Sequence, residues 1–206
     1  MIVLVIGGSG SGKSEYAEER ICNFYKNILC KEAKVWDIEA SNIKTKSNRL
    51  FYIATMQSFS PEEDAKIERH RRLRDGKNFE TIEQPFDLEK VTEKLLNKSD
   101  CILLECMSNL VANEMFRDGL IVSEDIVVRK IKEALSEVLQ KTADAVIVTN
   151  NIAEDMENYD DTTNAYIRAL GKINACIAGK ADEVIEVVAG IPIIIKGEKR
   201  CPFSKE

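Results

Sequence analysis

Histidine is almost absent from this chain: one residue in 206, alongside four prolines, one tryptophan and 6% aromatics. A metal centre built on clustered imidazoles is thereby excluded. The six cysteines, Cys22, Cys30, Cys101, Cys106, Cys176 and Cys201, form no CxxC pair. Their spacing argues against a zinc site or a disulfide framework, and reduced thiols are the expectation. Basic charge is also not in excess: Lys and Arg total 29 against 35 Asp and Glu, for a net charge of -6. No general nucleic-acid binding or membrane insertion is expected from that balance, although a local basic cluster can still hold a nucleotide. No apolar run approaches the roughly 20 residues needed to span a bilayer. The apolar start, Met1 to Ile6, runs straight into glycines without a basic flank, which is not the pattern of a signal peptide. A cytoplasmic protein is expected.

What is present is a 44% hydrophobic chain long enough for one sizeable core. A single domain over 1–206 is expected, with a surface insertion at 27–48, where periodicity is unclear and Lys44 to Arg49 is polar and basic. Met1 to Ile6 reads as a strand buried on both faces. Glu15 to Lys26 reads as an amphipathic helix. Further strands are expected at Arg49 to Thr55, Phe79 to Glu83, Cys101 to Glu105, Ala145 to Thr149, Glu183 to Val188 and Ile191 to Ile195. Helices are expected from Ser60-Pro61 to about Arg72, over Leu88 to Leu96, Ser123 to Thr142, and Asp161 to Lys180. Strands alternating with helices predict an α/β fold around a mostly parallel sheet flanked by helices.

The segment between the first strand and the first helix carries the sharpest signal. Gly7-Gly8-Ser9-Gly10-Ser11-Gly12-Lys13-Ser14 matches the P-loop pattern in full, in the strand-to-helix context that gives the pattern meaning. Glycines let successive backbone N–H groups turn inward around phosphate oxygens, and the helix adds the positive end of its dipole. Lys13 supplies a mobile charge for the β- and γ-phosphates, and the Ser14 hydroxyl is suited to Mg²⁺. ATP or GTP is therefore the expected ligand class, on a P-loop NTPase-type (RecA-like) scaffold. Such a site also needs an acid at the end of a neighbouring strand. Glu105 ends Cys101-Ile-Leu-Leu and fits; Asp100, at the opposite end of that strand, fits less well. Thr55 closes its own strand near the loop, where its hydroxyl is placed either to touch phosphate or Mg²⁺ or to cap the next turn.

His70 lies among Arg69, Arg71, Arg72 and Arg74. By itself such a stretch reads first as a solvated helix face. Chemically it has a second reading: the cations disfavour imidazolium and keep the ring a neutral nucleophile, while the same arginines neutralise a triphosphate under attack.

Several short motifs follow one another in order: the P-loop, Tyr52-Ile-Ala-Thr55, Ile67-x-x-His70, Leu104-Glu-Cys106 with Asn113, Val148-Thr-Asn150, and Ala181-Asp-Glu-Val184 with Gly190-Ile-Pro192. The set resembles the bifunctional adenosylcobinamide kinase / adenosylcobinamide-phosphate guanylyltransferase family of cobalamin biosynthesis, over nearly the whole chain except 27–48. The resemblance implies two reactions. A nucleoside triphosphate phosphorylates the aminopropanol hydroxyl of adenosylcobinamide. GTP then guanylylates the histidine matched by His70, and the cobinamide phosphate takes up the GMP to give adenosylcobinamide-GDP. It also implies that Ser14 and Glu105 hold Mg²⁺, that Arg69 assists at the nucleotide, and that the protein is a trimer. The sequence departs from the family at Asn151, where many relatives have glutamate, at Glu154 to Asp161, where a glycine and a proline are replaced by an acidic stretch, and at Ala175, where glutamine is common. Those departures bear on corrinoid or guanine contacts rather than on the triphosphate site. The competing readings are a P-loop kinase of another small molecule, which would not need His70, and a nucleotide-binding regulator that has lost one or both activities.

Overall fold

A computed structural model describes residues 1–36, 48–57, 67–68, 71–72, 74–95, 97–152 and 159–198. Seven strands form one sheet in the order β3-β2-β4-β5-β1-β6-β7. They are β1 (Ile2–Gly7), β2 (Leu50–Ala54), β3 (Phe79–Glu83), β4 (Cys101–Glu105), β5 (Asp144–Asn150), β6 (Glu183–Val188) and β7 (Ile191–Lys196). Every pairing is parallel except β6 with β7, which form an antiparallel hairpin at one edge. This is the mostly parallel α/β sheet that the sequence predicts.

Strand alternation sorts the core into two layers. Val3, Val5, Tyr52, Leu103, Val146 and Val148 face one side, where Ala17, Ile21 and Phe24 of α1 (Lys13–Trp36) cover them. Leu4, Phe51, Ile53, Ile102, Leu104 and Ile147 face the other. That side is covered by α2 (Met107–Met115), α3 (Glu124–Gln140) and α4 (Asp161–Lys180), with the 3₁₀ turn at Leu88–Glu93. Both faces of the central strands are thus dry, which is why those strands read as continuous apolar runs rather than alternating ones.

Three elements differ from expectation, the first being the helix expected over Leu88 to Leu96, which is a 3₁₀ turn at Leu88–Glu93. Helix α1 continues to Trp36 rather than ending at Lys26, so the first ten residues of the presumed insertion are helical; residues 37–47 lie outside the described residues. The segment Met107–Met115 is a helix that the sequence reading left unassigned. Ile67, Glu68, Arg71 and Arg72 are helical as expected, and Arg74, past the expected end at about Arg72, is helical too; the expected helix start at Ser60-Pro61 lies outside the described residues.

An ion network fastens the second layer to the loop after β3. The Asp87 carboxylate accepts from Arg117 Nη1 at 2.8 Å and Lys130 Nζ at 2.5 Å, and the Asp87 N–H donates to Glu114 Oε1 at 2.7 Å. Glu114, 4% exposed, also accepts from Lys130 Nζ at 2.7 Å. The hydrogen bonds from Arg117, then Lys130, hold the Asp87 carboxyl far below the usual carboxylate range. A depressed folded pKa stabilises above the unfolded value, and the gain is lost as pH falls through the folded one. Asp87→Asn is therefore expected to cost about 1–2 kcal/mol at neutral pH, discounted because the paired cations are partly solvated. It should also flatten the loss of stability below about pH 4. Urea unfolding at several pH values checks both; parallel curves for wild type and variant would contradict the account.

Candidate functional site

The site lies at the carboxyl ends of the parallel strands, where the loop after β1 turns into α1. Gly10 and Gly12 have φ of 72° and 89°, the left-handed region that favours glycine. At Gly12 there is a second constraint: a Cβ would come within 3.2 Å of the Gly190 Cα. The β6–β7 hairpin therefore packs directly under the loop, and the Gly190 N–H donates to the Ser11 carbonyl at 2.8 Å. The opposite flank is tied by the Asn151 N–H, which donates to the Gly7 carbonyl at 3.3 Å. This bond comes from the backbone of Asn151, so the departure from glutamate at that position leaves the support of the loop intact.

Lys13 is 9% exposed, and its Nζ folds back to donate to the Gly8 carbonyl at 2.9 Å. Burial pushes its amine pKa down, opposed by the neighbouring Cys106 and Glu105. The Ser14 hydroxyl donates to Glu105 Oε1 in a short hydrogen bond. The expected hydroxyl and the expected acid, 91 residues apart in sequence, are thus in contact beside the lysine. The other carboxylate oxygen, Oε2, accepts from the Tyr52 hydroxyl at 2.9 Å. Burial first, then the Glu105 charge, raises the Tyr52 pKa far above its ordinary value, so the phenol remains a donor. Asp100 has no part in this: fully buried at the far end of β4, it accepts from the Arg49 N–H at 3.1 Å and the Asn97 N–H at 3.2 Å.

Thr55 requires a correction. Its side chain is fully buried, its hydroxyl donates to the Cys106 carbonyl at 2.7 Å, and it accepts from the Cys106 N–H at 2.8 Å. With both roles engaged on one residue and no exposure, it holds the backbone after Glu105 and does not reach a phosphate. Asn113 reinforces the same place, donating to the Thr55 carbonyl at 2.8 Å and the Pro85 carbonyl at 3.0 Å. Arg69 and His70 lie outside the described residues. Their helical neighbours Ile67, Glu68, Arg71 and Arg74 line a cavity of about 670 Å³ that also takes in Tyr52, Glu105 and Cys106.

Sequence reading missed three contributors. The Tyr52 hydroxyl was legible only as part of a motif. Arg74, 7% exposed, stacks its guanidinium 3.5 Å from the centre of the Tyr52 ring rather than facing solvent. Ser108, near the start of α2, accepts from Asn150 Nδ2 at 2.8 Å and sits 3.0 Å from Cys106 Sγ. No signal short of the fold pointed to Ser108.

A family model for cobinamide kinase / cobinamide phosphate guanyltransferase matches residues 3–195. The chain belongs to that family. Among its relatives is the bifunctional adenosylcobalamin biosynthesis protein CobU of Escherichia coli (strain K12), 27% identical over 205 residues, covering 95% of this chain and all of that protein. The Salmonella typhimurium protein of the same name is 28% identical with the same coverage. The bifunctional adenosylcobalamin biosynthesis protein CobP of Pseudomonas aeruginosa is 26% identical over 196 residues, covering 95% and 97% of the two chains. A solved structure, the flagellar accessory protein FlaH of Methanocaldococcus jannaschii, aligns at a TM-score of 0.43 and 14% identity over 96% of this chain and 78% of that one, too loosely to bear on function. The chain is thus a transferase of cobalamin biosynthesis with two activities, cobinamide kinase and cobinamide phosphate guanylyltransferase. No helix among the described residues is long and apolar enough to cross a membrane.

Within the family's ordered motifs the geometry gives several segments a task. Gly190-Ile-Pro192 buttresses the phosphate loop, and Asn113 holds the backbone around Glu105. Thr149 Oγ1 donates to Asn174 Oδ1 at 2.9 Å, which ties α4 to the end of β5. Of the divergent acidic stretch, 154–158 lie outside the described residues, but its last two residues are structural: Asp160 caps α4, accepting from the Thr162 and Thr163 N–H groups at 2.9 and 3.0 Å, and Asp161 opens the helix.

Proposed function

We propose that one phosphate cradle, Gly7 to Ser14, serves both activities, presenting the γ-phosphate to a hydroxyl and the α-phosphate to an imidazole. The observation that carries this reading is the meeting of Lys13, Ser14 and Glu105 at the amino end of α1. In the kinase step the aminopropanol hydroxyl of adenosylcobinamide attacks the γ-phosphorus of ATP or GTP. The bond to the β,γ-bridging oxygen breaks, the diphosphate leaves, and the hydroxyl proton passes to solvent. Lys13 and the loop amides are pre-aimed at the charge that develops on the phosphoryl oxygens.

In the second activity the His70 imidazole attacks the α-phosphorus of GTP, pyrophosphate leaves, and a phosphoramidate holds GMP on the protein. A phosphate oxygen of adenosylcobinamide phosphate then displaces the imidazole to give adenosylcobinamide-GDP. In support, the residues flanking His70 border the cavity that contains Glu105. Arg69 and Arg71 add positive charge on either side of it in the sequence.

The donor set suits Mg²⁺: a hydroxyl and a carboxylate are hard oxygen ligands, and Mg²⁺ carried by a nucleotide takes only one or two such groups besides phosphates and water. Ser14 and Glu105 would hold it, the latter partly through water. Bound there, Mg²⁺ neutralises charge on the phosphates. The α-phosphate and γ-phosphate labels of GTP distinguish the two steps. With Mg²⁺ and no corrinoid, α-label is expected to stay on the denatured protein and γ-label is not; a protein that retains neither would contradict the covalent step on His70.

The protein works in the cytoplasm as a homotrimer. Self-association is supported by the β6–β7 edge, where Ile191, Ile193 and Ile195 are 65%, 47% and 59% exposed. Light scattering in solution is expected to give three chains; a monomer at micromolar concentration would contradict this.

A further inference from the structure

We infer that Tyr52 and Arg74 form a positioning pair for Glu105, locking one carboxylate oxygen so that the other is presented to the phosphate loop. The inference rests on the reading of Glu105 as the Mg²⁺ acid. It begins with the division of labour on the carboxylate, where Oε1 faces Ser14 and Oε2 is occupied by the Tyr52 hydroxyl. A carboxylate free to rotate presents either oxygen, or both. One held by a buried donor presents a single, fixed oxygen, as partners of metal-binding groups generally ensure.

The Tyr52 ring is itself held on several sides. Its backbone lies in β2, paired with Leu103 of β4 and Thr81 of β3. Phe79 meets the ring edge-on, with centroids 5.9 Å apart and planes at 85°. On the open face lies the Arg74 guanidinium, 3.5 Å from the ring centre. Arg74 is 7% exposed, and its Nη1 is buried with no hydrogen-bond partner among the described residues. A buried cation so placed gains from the aromatic face, an arrangement that suits Arg far better than Lys because the planar group stacks. Among the described residues no hydrogen bond or ion pair joins Arg74 to the phosphate loop. Its effect on the acid runs through the ring, which makes it a positioning residue.

The test measures Mn²⁺ affinity by electron paramagnetic resonance, on the full protein saturated with a β,γ-imido analogue of GTP, so that no turnover is needed. Tyr52→Phe keeps the ring and removes the hydroxyl; it is expected to weaken Mn²⁺ binding about tenfold. Arg74→Met keeps the stem and removes the cation; it is expected to weaken binding less, with Arg74→Lys restoring only part. In the Tyr52→Phe background, Arg74→Met should have no further effect on Mn²⁺, because the path to Glu105 is already cut. Full additivity of the two changes, or unaltered Mn²⁺ affinity in Tyr52→Phe, would overturn the inference. A merely structural role predicts lower thermal stability with unchanged Mn²⁺ affinity in the folded fraction, which also overturns it. Glu105→Gln serves as the reference: if it leaves Mn²⁺ affinity unchanged, the failure lies in the assignment of Glu105 itself.

Discussion

Replacing Lys13 by alanine is expected to lower both activities together, each by about 10²–10³-fold, with the fold retained. The size follows from the role: a buried ammonium at the amino end of α1, already aimed into the cradle, stabilises charge that grows on phosphoryl oxygens in the transition state. Under the proposed function it would work at the γ-phosphate in one reaction and the α-phosphate in the other. The fold should survive because Lys13 makes one described hydrogen bond, to the Gly8 carbonyl within its own loop. Removing a buried charge also removes its desolvation cost. Separate initial-rate assays for corrinoid phosphorylation and for pyrophosphate release from GTP read the effect, with circular dichroism to confirm folding. The shared loss is the informative part. A variant that loses phosphorylation but guanylylates normally would place the second nucleotide in a different site.

His70→Ala is expected to separate what Lys13→Ala joins. Pyrophosphate release from GTP and labelling of the protein should fall by on the order of 10⁴-fold or more, the usual consequence of deleting a nucleophile. Phosphorylation of adenosylcobinamide should continue near the wild-type rate, because the cradle, Ser14 and Glu105 are untouched. Surface charge alone would not behave this way. If the histidine were only one polar group on an arginine-rich helix, its removal would shift both activities slightly or neither. Loss of phosphorylation alongside labelling would show that the helix supports the cradle structurally, and the assignment of His70 as nucleophile would then need independent proof.

Much of the scaffold was legible because it obeys short-range rules. β1, β4 and β5 announce themselves as apolar runs bounded by glycine or acid, and the P-loop is a local pattern whose strand and helix are adjacent in sequence. The pairing of Ser14 with Glu105 was also accessible, since chemistry demands an acid near the hydroxyl and only a strand end delivers one. What escaped was non-local or masked by another signal. The Met107–Met115 helix carries Met107, Leu110, Val111 and Met115 at helical spacing, but it begins immediately after a strand and its N-cap, Cys106, makes no side-chain cap hydrogen bond. Helix α1 overruns Lys26 because nothing in the following residues stops it: no glycine or proline occurs before Trp36. Of the two readings open for Thr55, its place at a strand end suggests reach, but Cys106 takes both of its hydrogen-bonding roles. Arg74 looks like one of five basic or ionisable residues on a wet helix, and only the tertiary fold lays it over Tyr52.

The departure at Asn151 also changes weight once the fold is in view. Its N–H supports Gly7, and that bond does not depend on which side chain stands there. The question it leaves is confined to the groups that recognise the corrinoid or the base, and both activities remain assigned to one loop.

The most direct test of that assignment is intact-protein mass spectrometry, followed by peptide mapping, after incubation with GTP and Mg²⁺ in the absence of corrinoid. The account predicts a mass increase of one guanylyl unit, mapped to the peptide containing His70 and lost in acid as a phosphoramidate should be. An unmodified protein, or a guanylyl group carried on Lys13 or any other residue, would contradict it.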